Sequence, residues 1–269
     1  VMTLFRLECK THRKTLLVWI IVVALLTLGL VSLFPAMKDM GLQQMDLKAM
    51  PKEMLKAFNL SDMAALSTIK GYFGYEFQYV MIATGIFSAM LGTNALAREE
   101  SEGTISYLYA QPISRLSIVA SKMVANSLIY TTYWLISMIF AFVSCLIFKE
   151  AGASVSNLFK AFAQLTFAGW IMGLTFLMVG FLLSSLLSSN KSATSLSLGL
   201  VFLTFILGVV GKLKDDFQVL VYFSPVDAAL PSAVFKNGIE WNYIMTDLVV
   251  LFITCLLTFW FYKRKDLKV

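Results

Sequence analysis

The chain has 269 residues, of which 58% are hydrophobic and 14% charged, and its mean hydropathy is +0.77. Soluble domains carry about 25% charged residues, so this composition excludes a water-soluble globular fold and points to a protein that lives in lipid. The net charge of +6, from 22 basic and 16 acidic residues, is then an orientation signal and not the footprint of a nucleic-acid binder.

A helix needs roughly 20 mostly apolar residues, at ~1.5 Å each, to cross a ~30 Å hydrocarbon core. Six stretches meet that need and predict an all-α, polytopic membrane protein, a single transmembrane domain over residues 1–269. The first, Leu16–Phe34, follows a basic segment with Arg6, Lys10, His12, Arg13 and Lys14. Its apolar run exceeds the roughly 7–15 residues of a signal-peptide core and no small-x-small site follows, so it is expected to persist as a helix.

Residues 35–76 form the first outer segment and hold six of the 14 methionines: Met37, Met40, Met45, Met50, Met54 and Met63. Met50, Met54 and Phe58 recur at helical spacing, with Lys52, Glu53 and Lys56 on other faces and Pro51 suited to a first turn. An amphipathic helix on the outer surface is expected there. The second span, Phe77–Ala97, leads into an inner loop, 98–123, and the third follows at Val124–Phe148.

The fourth span, Ala161–Leu187, carries Gly169 and Gly173, a small-xxx-small face for close helix packing. Contact within the bundle is the expected use, a subunit interface the alternative. A very short link, 188–192, predicts an antiparallel pair with the fifth span, Ala193–Val210, whose start is polar through Ser192, Thr194, Ser195 and Ser197. The second outer segment, 211–242, has breaks at Ser224-Pro225 and Leu230-Pro231 around the apolar run Phe217–Phe223, a pattern that suits a re-entrant or interfacial hairpin. The sixth span is Tyr243–Tyr262.

Lysine and arginine set the orientation. With the N-terminus inside, the inner segments hold 12 bases against five acids, and the outer segments the remaining 10 bases against 11 acids. Both termini are therefore expected in the cytoplasm. The spans are nearly free of ionisable groups, with Glu76 and Asp247 at outer ends, which weakens a proton- or sodium-driven carrier and a channel. Cys9, Cys145 and Cys255 are far apart with no CxxC, and His12 is the only histidine. No metal or cofactor site is expected on this chain.

The most informative stretch is the inner loop, Arg98-Glu99-Glu100-Ser101-Glu102-Gly103-Thr104-Ile105-Ser106-Tyr107-Leu108-Tyr109-Ala110-Gln111-Pro112-Ile113-Ser114-Arg115. An acidic turn extends the second helix until Gly103 interrupts it. Thr104 is placed to cap a short helix with an apolar, aromatic face from Ile105, Tyr107, Leu108 and Tyr109, which Pro112 ends. Such a helix, held between two spans, is a docking knob for a cytosolic protein, or else a helix lying in the lipid interface.

Glu-x-Glu-Gly-Thr-x-x-x-Leu, followed by Pro-x-Ser-Arg and then Lys, resembles the inner-loop signature of ABC-2-type transporter permeases. Glu100, Glu102, Gly103, Thr104, Leu108, Pro112, Ser114, Arg115 and Lys122 carry it. The basic start, long first outer segment, tight fourth-to-fifth link and ending Tyr262-Lys263-Arg264-Lys265-Asp266-Leu267 fit that plan, whereas the Met-rich segment matches no subgroup. The resemblance implies a six-helix, type V exporter-like permease fold in a bacterial plasma membrane. It makes residues 103–112 a coupling helix seated in a separate ABC ATPase subunit, present in two copies and holding ATP and Mg. Glu100, Glu102, Gly103, Thr104, Ile105, Tyr107, Leu108, Pro112 and Arg115 become the coupling residues. It further implies a second permease, a copy of this chain or a different one, in contact with membrane lipid.

No P-loop is present: Gly208-Val-Val-Gly211-Lys212 lacks both the spacing and the Ser/Thr, so ATP hydrolysis belongs to the partner. An amphipathic peptide or hydrophobic drug suits the Met- and Phe-rich walls. Two other classes compete. The Glu99-Glu100 pair is similar to that of membrane prenyl-protein proteases, but Thr104 stands where those need Arg and the histidines are missing. A secondary carrier or channel not driven by ATP is the other alternative.

Overall fold

The computed structural model describes residues 2–39, 66–105 and 113–265. Among them every regular element is helical. In chain order these are α1 Met2–Ser32, α2 Phe34–Asp39, α3 Ile69–Ala95, α4 Arg98–Ser101, α5 Arg115–Phe148, α6 Val155–Leu186 and α7 Ala193–Leu213. A 3-10 segment Asp215–Phe223 follows, then α8 Pro225–Ala228, α9 Pro231–Asn237 and α10 Trp241–Arg264. The Met-rich stretch from Met40 to Met63 lies outside the described residues; Met37 falls on α2.

Several helices outrun the apolar stretches that announced them. α1 begins 14 residues before Leu16 and α5 nine residues before Val124. Hydropathy marks only the part facing hydrocarbon, whereas a helix in water is polar and is delimited by its caps. Ser114 shows this: its hydroxyl accepts the Ser117 N–H at 3.2 Å and starts α5. Ser154 does the same for α6 and Thr68 for α3, satisfying N–H groups that a helix start leaves orphaned.

Among the described residues five helices are long and apolar enough to cross a bilayer: α1, α5, α6, α7 and α10. The stretch expected at 77–97 lies on α3, which falls outside that set. With 27 residues α3 is ~40 Å long, so length is not the reason. α3 runs through the middle of the bundle, packed by α6, α7, α9 and α5, and carries Tyr72, Tyr75, Glu76, Gln78 and several Gly, Ser and Thr residues. A helix wrapped in protein needs small residues and hydrogen-bonding groups more than an apolar exterior. α6 is the other central helix, with 67% of its apolar window buried against 17% for α1 and 22% for α7 and α10.

The short 188–192 link does not make α6 and α7 a packed pair. α7 touches α6 little and leans on α3 and on the 3-10 segment. Between α7 and α10 the chain turns by 88° between 216–223 and 225–237. Pro225 and Pro231 open α8 and α9, where a missing N–H costs nothing. This bent hairpin packs against α7 at Gly208 and Gly211, where an added Cβ would run into Asp227 and Ser224, or Val221. Lys212 closes it with an ion pair to Asp227.

Candidate functional site

The loop end of the bundle, where α1 begins and residues 98–105 lie, gathers the charged side chains. α3 does not continue through the acidic turn as the sequence suggested. It stops at Ala95, and the backbone N–H groups of Leu96 and Ala97 donate to Ser184 Oγ of α6 at 2.9 and 3.0 Å. A hydroxyl from another helix captures the two N–H groups at the break, so α4 starts as a separate turn. α4 closes through Glu102 N–H to Arg98 O at 2.8 Å and Thr104 N–H to Glu99 O at 2.9 Å. Gly103 takes a φ of +69° between them, a conformation that a side chain disfavours.

Two ammonium groups, one buried and one partly buried, hold this turn. Lys122 of α5 is 1% exposed. Its Nζ meets Glu8 Oε1 of α1 at 2.9 Å, Glu99 of α4, and the Ala95 carbonyl ending α3 at 2.5 Å. Lys265, just past α10, donates to Glu100 Oε2 at 2.7 Å and to the carbonyl of Leu187. Its own carbonyl accepts from Arg115 Nη1 at 2.8 Å. Removing one member of a buried pair costs about 3–5 kcal/mol because the other charge is left without a counterion. The Arg98–Glu102 pair, at 2.9 Å, is much more exposed and holds far less.

Of the predicted loop residues, Glu100 is therefore an internal anchor, Glu102 an outward partner of Arg98, and Gly103 and Thr104 the turn. The Thr104 hydroxyl donates back to Glu99 O at 3.4 Å. Ile105 is 3% exposed and packs inward. Arg115 ties the start of α5 to the end of α10. Tyr107, Leu108 and Pro112 lie outside the described residues, so the face they were read to form is not placed here.

Gly169 and Gly173 lie under aromatic rings of α5: a Cβ on either would collide with Trp134 or Tyr130. The Tyr130 hydroxyl donates to Gly169 O at 2.6 Å, and Trp134 Nε1 to Thr166 O at 2.7 Å. These contacts are within one chain. Glu8, Glu99, Lys265 and Ser184 escaped the sequence reading as members of a site. Their partners are up to 165 residues away, and only the surplus of bases near both termini hinted that some would turn inward.

Beside this network a cleft of about 330 Å³ opens between α1, α3 and the 188–192 link. Trp19, Phe87 and Met90 form its apolar wall, and His12, Asn94 and Arg98 its polar rim.

The profile described as ABC-2 family transporter protein matches residues 2–267. A probable ABC transporter permease protein, NosY, of Stutzerimonas stutzeri is 30% identical over 118 residues, 44% of this chain and 42% of NosY. The chain thus matches about two fifths of that relative's length.

Proposed function

The chain belongs to the ABC-2 family of transporter proteins, a multi-pass membrane protein of permease type, and from that premise we propose that it is half of an ATP-driven exporter. A separate ABC ATPase, carrying ATP and Mg, seats against residues 103–112 from the cytoplasm. Two permeases work with two such ATPases in a bacterial plasma membrane, and both termini of this chain lie inside. α3 is then a sixth crossing, covered over most of its surface by its neighbours.

The observation that carries this reading is the anchoring of the loop. Residues 98–105 are fastened by Lys122 and Lys265 to the ends of α1, α3, α5 and α10, so a push on 103–112 reaches four long helices at once. A free loop would absorb it. The cleft supports an amphipathic substrate, since Trp19, Phe87 and Met90 suit an apolar body and His12, Asn94 and Arg98 a polar head.

The test is purification with the ATPase encoded beside the gene, followed by transport in vesicles. Co-purification is expected, with transport lost in Tyr107→Ala plus Leu108→Ala. Absence of any bound ATPase, or full transport in the double variant, overturns the proposal.

One observation favours the secondary carrier. Asp247, read in the sequence as lying at an outer end, is 2% exposed on α10, and its Oδ2 has no hydrogen-bond partner. Buried intramembrane carboxylates serve proton and ion sites elsewhere. Transport that survives ATP depletion and stops when the proton gradient collapses would select that reading.

A further inference from the structure

The drive from the loop has two routes into the bundle, and the geometry distinguishes them. The direct route along α3 is interrupted, because α3 ends at Ala95 and its next two N–H groups are held by Ser184 of α6. The second route passes through Lys122. An ammonium has three N–H donors, and here each meets an acceptor on a different helix: Glu8 on α1, Glu99 on α4 and the Ala95 carbonyl ending α3. The lysine itself rides on α5. One buried group therefore joins four elements, and a shift of any one of them alone breaks a bond to it.

α1 is built to carry such a shift. It is one uninterrupted helix from Met2 to Ser32, so Glu8 and Leu30 lie ~33 Å apart along a single rod, about the thickness of the hydrocarbon core. At the far end the Leu30 carbonyl accepts the Tyr72 hydroxyl of α3 at 2.9 Å, with the Phe34 and Tyr72 rings 5.5 Å apart. α1 packs mainly along α5 and touches α3 far less, so it is coupled to the helix that carries Lys122 and can shift relative to α3.

We infer that Lys122 is the positioning residue through which movement of the loop is passed to α1, and that α1 swings against α3 during the cycle. The inference rests on the ATP-driven reading above. Glu8→Gln weakens the tie of α1 to the junction while leaving Lys122 its bonds to Glu99 and Ala95 and α1 its packing along α5, so it spares the fold. Lys122→Met breaks the whole junction, and Lys122→Arg keeps the charge.

The test uses the permease bound to its ATPase in lipid vesicles, with the three native cysteines replaced and spin labels on cysteines at Leu25 of α1 and Tyr79 of α3, both exposed on the surface of the chain. Label distance, ATP hydrolysis and transport are read with and without ATP and vanadate. In the parent complex vanadate trapping is expected to change the distance. In Glu8→Gln the change is expected to vanish, with hydrolysis kept within about twofold and transport per ATP down about tenfold, equivalent to about 1.4 kcal/mol. Lys122→Arg is expected to retain part of the response.

A parent response that persists unchanged in Glu8→Gln and in folded Lys122→Met overturns the inference alone. Hydrolysis and transport that fall in step in Glu8→Gln overturn it as well. A parent complex whose labels ignore ATP while transport still requires it overturns the inference alone, whereas transport that needs no ATP overturns the ATP-driven reading and the inference together.

Discussion

Gly92 and Gly180 meet backbone to backbone where α3 crosses α6. A Cβ built on Gly180 would lie 2.7 Å from the Ala89 carbonyl and 3.0 Å from Gly92 Cα, with backbone on both sides and nothing flexible to give way. Gly180→Ala is therefore expected to destabilise the bundle by about 1–3 kcal/mol through overpacking. Gly29→Ala and Gly199→Ala, where an added Cβ meets nothing within 4 Å, should be neutral or slightly stabilising because alanine favours helix. Thermal unfolding in detergent separates the two classes.

The Glu100–Lys265 pair is expected to behave as a unit. Lys265→Met leaves Glu100 buried, with Oε1 already lacking a partner, and should cost about 3–5 kcal/mol. Adding Glu100→Leu removes the stranded charge and should recover most of that loss. A double-mutant cycle with a coupling energy near zero would show that the two side chains do not interact.

Asp247 gives the opposite expectation. Its Oδ2 is buried without a partner, so Asp247→Asn should leave the melting temperature unchanged or raise it by a few degrees, the shift expected for about 1 kcal/mol. Loss of transport in that variant, with the fold intact, would mean that the carboxyl has a role in the transport cycle.

At the hairpin, Gly208→Val pushes a side chain into the Asp227 carboxylate and Ser224. The Lys212–Asp227 pair should open, and a cysteine at Val221 (now buried) should become reactive towards a water-soluble maleimide at least about tenfold faster, equivalent to an opening of about 1.4 kcal/mol. Gly199→Val is the matched control on the same helix.

Sequence alone reads this protein well where hydrocarbon is the neighbour. α1, α5, α7 and α10 appear as apolar runs because lipid tolerates little else, and α6, though central, carries an apolar run long enough to be read as well. α3 is legible only in outline, since its neighbours are protein and its residues serve packing. The ends of α1 and α5 are hidden for a related reason: polar helix in water looks like loop until its caps are seen. The network at the loop end has no local pattern, because Glu8, Glu99 and Lys122 meet only after three helices have packed. The glycines at 208 and 211 are visible, but their meaning is not. They fail as a phosphate loop and succeed as the floor on which the hairpin rests.

The two lysines that fasten the loop are made at different times. The acceptors of Lys122 all precede it in the chain, so the first junction can form as α5 leaves the ribosome. Lys265 emerges 143 residues later, roughly 7–30 s at ~5–20 residues per second. Until then Glu100 has no counterion and the Leu187 carbonyl no donor. The surface read as the docking site is thus completed only after the last helix is synthesised, and a half-made chain presents a loop that is tied on one side only.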